Sequence, residues 1–203
     1  MHLVQPAPEP AKPARLKPGE RRAQILRVLA AMLEDPRGER VTTAALAARL
    51  QLSEAALYRH FASKAQMLEA LIQQAEEQLL AQAEQIAGLA QPAEERAQRL
   101  MLALLRFGEA QPGLARVLVG DALVGEHERL AQRVEQLFQR LEATQRHWLR
   151  EGDLDSAQPG ADAQGRAAVL MGFAQGRLLR FVRSGFKRAP TENLEQWRRW
   201  LPG

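Results

Sequence analysis

The stretch VTTAALAARLQLSEAALYRHFASKAQML, residues 41–68, holds two helical patterns too short to stand alone. Leu46 and Leu50 share one face of the first, with small Ala47 between them. Thr42 or Thr43 offers an N-cap for a helix over about 43–50. After the tight connection Gln51-Leu52, Ser53 caps a second run that contains Ala56 and Leu57 and reaches Phe61, and Ser63 caps a longer helix. A helix of about two turns is not stable by itself in water. The pair must therefore be clamped by its neighbours, and Leu46, Leu50, Leu52, Leu57 and Phe61 are the side chains that do it. Two such helices joined by about three residues form a helix-turn-helix. Its turn favours a glycine in the left-handed region, and the residue at that place is Gln51, a cost of about 1 kcal/mol.

The face left over on residues 53–60 is Ser53, Glu54, Ala55, Tyr58, Arg59 and His60. Small residues at the start let such a helix enter a DNA major groove, which is about 12 Å wide. Tyr58, Arg59, His60 and Lys64 then present donors for phosphates on either side, and phosphate contacts fix the register that base contacts read. The amides opening the helix beside Lys64 add a positive dipole end.

Charge supports a polyanion-facing head. Residues 1–65 carry 11 Lys/Arg against 6 Asp/Glu, whereas residues 66–203 carry 17 against 18. Residues 1–18 hold five prolines and read as a disordered basic arm. Residues 19–65 form the DNA-binding unit and 66–203 a body. Ile25, Leu26, Leu29, Met32 and Leu33 give the first helix its apolar stripe, ended by Pro36 and Gly38. Further helices are expected near 63–88, 92–111, 113–119, 126–151, 163–184 and 191–200, with GDLDSAQPG at 152–160 a loop. No sustained period-2 alternation occurs, so the fold is expected to be all-α. No apolar run is long enough to span a bilayer, no secretory leader is recognised, and the absence of cysteine suits the cytosol.

The run TTAALAARLQLSEAALYRHFASKAQML resembles the DNA-binding head of the tetracycline-repressor (TetR) family, most recognisably in its Tyr-x-His-Phe-x-x-Lys ending. FGEAQPGLARVLVGDALVGEHERLAQRVEQLFQRLEA, residues 107–143, and GRLLRFVRSGFKRAPTENLEQW, residues 176–197, resemble the nucleoid occlusion branch of that family in Gram-negative bacteria. By position, the resemblance implies phosphate contacts from Thr43, Tyr58, His60 and Lys64, and groove-facing contacts from Thr42, Ser53, Glu54, Ala55 and Ala56. It implies homodimers, one or more per palindromic DNA site, in a cytoplasmic, nucleoid-associated protein. It also implies that the DNA-bound form engages the C-terminal tail of FtsZ and antagonises its polymers, blocking septum formation over DNA. The partner surface of that branch lies around the fourth and fifth helices. There the familiar Arg-Asn-Pro-Gly run reads Ala110-Gln111-Pro112-Gly113, and Arg106 one turn earlier is the nearby cation.

A two-fold DNA site needs a two-fold protein. The expected dimer bundle pairs the helices near 126–151 and 163–184 through Val134, Leu137, Phe138 and Leu141 on one, and Phe173, Gly176 and Phe181 on the other. Gly172 and Gly176, four apart, would admit a close helix. The competing function is a repressor of the same fold controlled by a small molecule, its pocket lined by Met101, Leu105, Trp148 and Met171. Enzymatic chemistry finds no support. His2, His60, His127 and His147 lack metal-ligand spacing, and no nucleophile motif, phosphate loop or dinucleotide fingerprint is present, so no cofactor is expected.

Overall fold

The computed structural model describes residues 18–36, 40–152, 159–197 and 201. The arm expected over 1–18 lies outside them except for Pro18, which opens the first helix. In chain order the helices are α1 (Pro18–Leu33), α2 (Thr43–Arg49), α3 (Glu54–Tyr58), α4 (Lys64–Ala87), α5 (Ala93–Ala110), α6 (Pro112–Leu118), α7 (Glu128–Gly152), α8 (Pro159–Arg183) and α9 (Leu194–Trp197), with a 3₁₀ turn at Asp121–Leu123. Among the described residues there is no strand, in keeping with the all-α expectation.

The helices pack as a three-helix head, α1–α3, on a body formed by α4–α8. One continuous core joins them, running from Ile25 and Leu29 through Leu46, Leu57 and Phe61 to Leu104, Leu137 and Leu178. The five side chains expected to clamp the short pair do so: Leu46, Leu50, Leu57 and Phe61 are buried, and Leu52 packs against them half-buried. Helix α4 starts in the head and runs 24 residues into the body. Gly113 lets the two parts approach closely, for a Cβ there would lie 2.2 Å from the carbonyl oxygen of Ala30 in α1.

Three boundaries differ from expectation. α8 begins at Pro159 rather than near 163, because proline is pre-shaped for a first helical position and lacks only an N–H that would be idle there. α7 carries on through Gly152, and the remainder of the expected loop, 153–158, lies outside the described residues. α3 stops at Tyr58, so Arg59 and His60 sit in the turn after it; the amides of His60 and Phe61 both donate to the Leu57 carbonyl as Phe61 drops into the core.

The residues expected at a dimer face fall into two sets. Leu137, Leu141 and Phe181 are buried within one protomer, the first two wholly, so they hold α7 and α8 to their own body and offer nothing to a partner. Phe173 stacks on Trp197, ring centroids 4.8 Å apart. Val134 and Phe138 are buried but line an open groove of about 450 Å³ together with Gly172, Gly176 and Leu179. A Cβ at Gly172 or Gly176 would meet nothing within 4 Å, so their small size leaves free space instead of admitting α7.

Candidate nucleic-acid interface

Each helix of the short pair is started by a side-chain cap. Thr42, not Thr43, is the N-cap of α2, its Oγ1 accepting from Ala45 N at 3.1 Å; Ser53 Oγ accepts from Ala56 N at the same distance to start α3. Between them the Ala47 carbonyl accepts from the amides of both Leu50 and Leu52, and Gln51 takes φ 55°, the left-handed conformation its position demanded. Ser63 caps α4, its Oγ accepting from Gln66 N at 3.1 Å, while Gln66 Oε1 reaches back to accept from Ala62 N, one residue before the cap, at 2.7 Å.

Because Thr42 takes the capping role, the Thr43 hydroxyl is available to tie the two helices together. It donates to Glu54 Oε2 at 2.7 Å, and the Tyr58 hydroxyl lies 3.4 Å from Thr43 Oγ1. Thr43, Glu54 and Tyr58 thus form one hydrogen-bonded group on the outer face. Glu54 is a carboxylate on the face expected to meet DNA, and this bond fixes where its charge points. Ser53, Glu54, Ala55 and Arg59 are exposed, Ala56 and His60 are half-buried, and Tyr58 is 44% exposed. A large aromatic left that open, with its hydroxyl aimed along the surface, matches a side chain placed for a ligand better than one placed for the core.

Lys64 is placed differently from a free phosphate donor. Its Nζ lies 2.8 Å from Glu126 Oε1, in the connection that leads into α7, and only 18% of its side chain is exposed. The same carboxylate accepts from Arg40 at 3.0 Å, and Arg40 also donates to the Gly125 carbonyl. Burial alone would raise the Glu126 pKa, but the hydrogen bonds and charges of Lys64 and Arg40 outweigh it and hold the carboxyl below its ordinary value. The body therefore positions two head cations through one acid. Arg40 escaped the sequence reading; its signal was its place immediately before Val41 and the capping threonine. Arg22 also went unread: it donates to the His60 carbonyl and stacks its guanidinium 4.0 Å above the Phe61 ring, bracing the turn after α3 from α1.

On the body, Arg106 is exposed on α5 and edges a groove of about 460 Å³ between α4 and α5, floored by Ile86, Met101 and Leu102. Ala110 is exposed, while Gln111 is half-buried and donates through Nε2 to Gln78 Oε1 at 3.0 Å. Among the described residues no group of His, Asp or Glu has the arrangement of a metal site, and no helix is long and apolar enough to cross a membrane.

Residues 93–202 match the SlmA-like family described as "Tetracyclin repressor-like, C-terminal domain", and residues 37–71 match "Bacterial regulatory proteins, tetR family". The chain is 47% identical over 179 residues to the nucleoid occlusion factor SlmA of Idiomarina loihiensis, covering 87% of this chain and 91% of that protein. It is 48% identical, with the same coverage, to that of Shewanella halifaxensis. A TetR-family transcriptional regulator from Bordetella parapertussis shares the fold at a TM-score of 0.65 and 17% identity, over 90% of this chain and 98% of that one. With a capped helix-turn-helix on a helical body and near-half identity over most of its length, the chain belongs to the nucleoid occlusion factors of the SlmA type within the tetracycline-repressor family, DNA-binding proteins and not enzymes.

Proposed function

We propose that this protein binds palindromic chromosomal sites as a homodimer and, while bound, engages FtsZ and antagonises its polymers, so that no septum forms over the nucleoid. The observation that carries the DNA half is the outward group of Thr43, Glu54 and Tyr58 on a fully capped α2–α3 pair. Ser53 to Ala56 enter the groove, while Thr43, Tyr58, Arg59 and His60 contact backbone on either side. Lys64 joins them only by sharing itself between a phosphate and Glu126. Cytoplasmic, nucleoid-associated localisation follows from this activity.

The dimer face is the open side of α7 and α8. Val134 and Phe138 contribute their groove-facing edges, Gly172 and Gly176 leave room for a partner helix, and Val169 stands 53% exposed beside them. Two-fold pairing there would set two α3 helices on half-sites ~34–36 Å apart. For FtsZ, the α4–α5 groove edged by Arg106 is the surface that suits an extended acidic-apolar tail, with Ala110 and Gln111 at its end. Of the residues expected to line a small-molecule pocket, Leu105, Trp148 and Met171 are buried in the continuous core, and Met101 borders the open α4–α5 groove instead.

The deciding experiment mixes the protein, DNA carrying its site, and FtsZ with GTP, and follows polymer by sedimentation. Loss of sedimenting polymer only when both protein and DNA are present is the expected result. If DNA-bound protein leaves the polymers intact, the division reading fails and the repressor reading replaces it.

A further inference from the structure

We propose that the body carries a second DNA-contacting surface, in which Arg180, Arg183, Lys187 and Arg188 at the end of α8 contact backbone phosphates of the same duplex that the head holds. The inference rests on the reading of the head as a DNA binder. It concerns residues about 120 positions away from the helix-turn-helix, on an element that plays no part in it.

The first observation is charge without compensation. Several arginines of the body are matched by acids, although the exposed Arg106, Arg140, Arg146 and Arg150 also have no acidic partner among the described residues. Arg99 pairs with Glu95, Arg129 with Glu69, Arg133 with Glu76 and Arg166 with Glu94. Arg180, Arg183, Lys187 and Arg188 are all exposed and have no acidic partner among the described residues. Arg180, Arg183 and Arg188 line a hollow of about 510 Å³ together with Ser184, Gly176 and Leu179. In a body whose overall charge is close to balanced, four unmatched cations in one place form a strong local field, and a polyanion is what such a field attracts.

The second observation is where the cations stand. The turn after α8 is fixed by Ser184, whose Oγ donates to the Phe181 carbonyl and accepts from the amides of Lys187 and Arg188 at 3.1 and 3.0 Å. Gly185, at φ 63°, reverses the chain against Pro36, in the connection between α1 and α2. Phe186 packs edge-on against Phe181, and buried Arg116 stacks over Phe186 while donating to the Asp35 carbonyl at 2.9 Å. The cationic end of α8 is thereby fastened to the segment that leads into the capping residue Thr42. It is an end of the body that touches the head.

The third is continuity with the proposed dimer face. The hollow shares Gly176 and Leu179 with the apolar groove along α7 and α8. Pairing across that groove would set the patches of both copies beside the interface. A surface there would contact backbone without reading bases. It would add affinity and salt dependence but no sequence preference.

The test measures binding of a labelled random-sequence duplex of about 30 base pairs by fluorescence anisotropy over a series of salt concentrations. The variant is Arg180→Gln, Arg183→Gln, Lys187→Gln and Arg188→Gln together, and the control carries Arg99→Gln, Arg140→Gln, Arg146→Gln and Arg150→Gln elsewhere on the body. The slope of log K against log salt is expected to fall in magnitude by about 0.9 for each phosphate that is no longer neutralised, hence by about 2–4 in the variant and not in the control. The single variant Arg183→Gln, with an expected fall of about 1, keeps the test open should the fourfold change impair folding. An unchanged slope in a folded variant, with the parent protein binding normally, overturns the proposal. Failure of the parent to bind duplex at all would instead overturn the reading of the head.

Discussion

Replacing Gly113 by alanine should loosen the seam between head and body, and the structure sets the size of the effect. The new Cβ would sit 2.2 Å from the Ala30 carbonyl oxygen, 3.0 Å from its carbon and 3.3 Å from its Cα. Carbon meets a carbonyl oxygen at about 3.3 Å or more, so α1 and α6 must separate by about 1 Å. The obstacle is helix backbone, which cannot swing aside as a side-chain end could. Overpacking of this kind costs about 1–3 kcal/mol, against which alanine's better helix propensity returns at most ~1 kcal/mol. The net loss of about 1–2 kcal/mol corresponds to a fall in melting temperature of roughly 2–8 °C for a chain of this size. Gly165→Ala is the matched control, since a Cβ there meets nothing within 4 Å and lies inside α8; it should stabilise by up to ~1 kcal/mol. Thermal unfolding followed by circular dichroism compares the two. If Gly113→Ala melts at or above the parent temperature, the close approach is not a constraint and the reasoning fails.

Leu57→Ala removes a fully buried side chain that holds α3 to the head, and should cost about 2–5 kcal/mol in denaturant unfolding with loss of DNA binding. Glu126→Gln should cost about 1–3 kcal/mol near neutral pH, because two hydrogen-bonded cations lose their acid. The Glu126 carboxyl is held below its ordinary value of 4.5 in the folded protein, so its contribution is present above that pH and is lost as pH falls through the lowered value. The stability gap between parent and variant should therefore close in acid; a gap as wide at pH ~3 as at pH ~7 would count against the pair. Gly172→Leu fills open space on the proposed dimer face, so equilibrium sedimentation should show a weaker dimer while the protomer stays folded. An undiminished dimer would move the interface elsewhere.

How far the sequence could be read depended on the range of the interaction. The capping roles of Ser53 and Ser63 and the left-handed Gln51 are set by residues within four positions, so local pattern was enough to place them, whereas it left the cap of α2 open between Thr42 and Thr43. The early stop of α3 was harder to see, because the pull on Phe61 comes from the core and the brace on His60 from Arg22, 38 positions away. The apolar stripe of α7 was legible as a stripe. Periodicity says that a face is covered but not by what, and so Leu137 and Leu141 were assigned to a partner when their own body covers them. Gly172 and Gly176 were legible as small residues yet not as open ones. The Arg40–Glu126–Lys64 network was out of reach, since its members lie 62 and 86 positions apart and each looks like an ordinary surface charge.

The same distinction explains why the head identifies DNA binding but says little about what the binding is for. Duplex backbone has nearly constant geometry, so helix-turn-helix proteins are expected to place hydrogen-bond donors at nearly the same points, the part proposed above for Thr43, Tyr58 and His60. The body faces no such constant target, and its surfaces are free to differ between relatives that share a head. On the reading proposed above, function within the family is written on the body: the α4–α5 groove, the open side of α7 and α8, and the cations at the end of α8. Helix α4 joins the two, with Lys64 held by Glu126 at one end and Gln82, Gln85 and Ile86 bordering the groove at the other. At 1.5 Å per residue those ends are roughly 30 Å apart on one rigid rod. A head that shifts to meet DNA must carry that rod with it or break the seam at Gly113 and Glu126, so substitutions at the seam should alter groove and DNA binding together, whereas substitutions on either surface should alter only one.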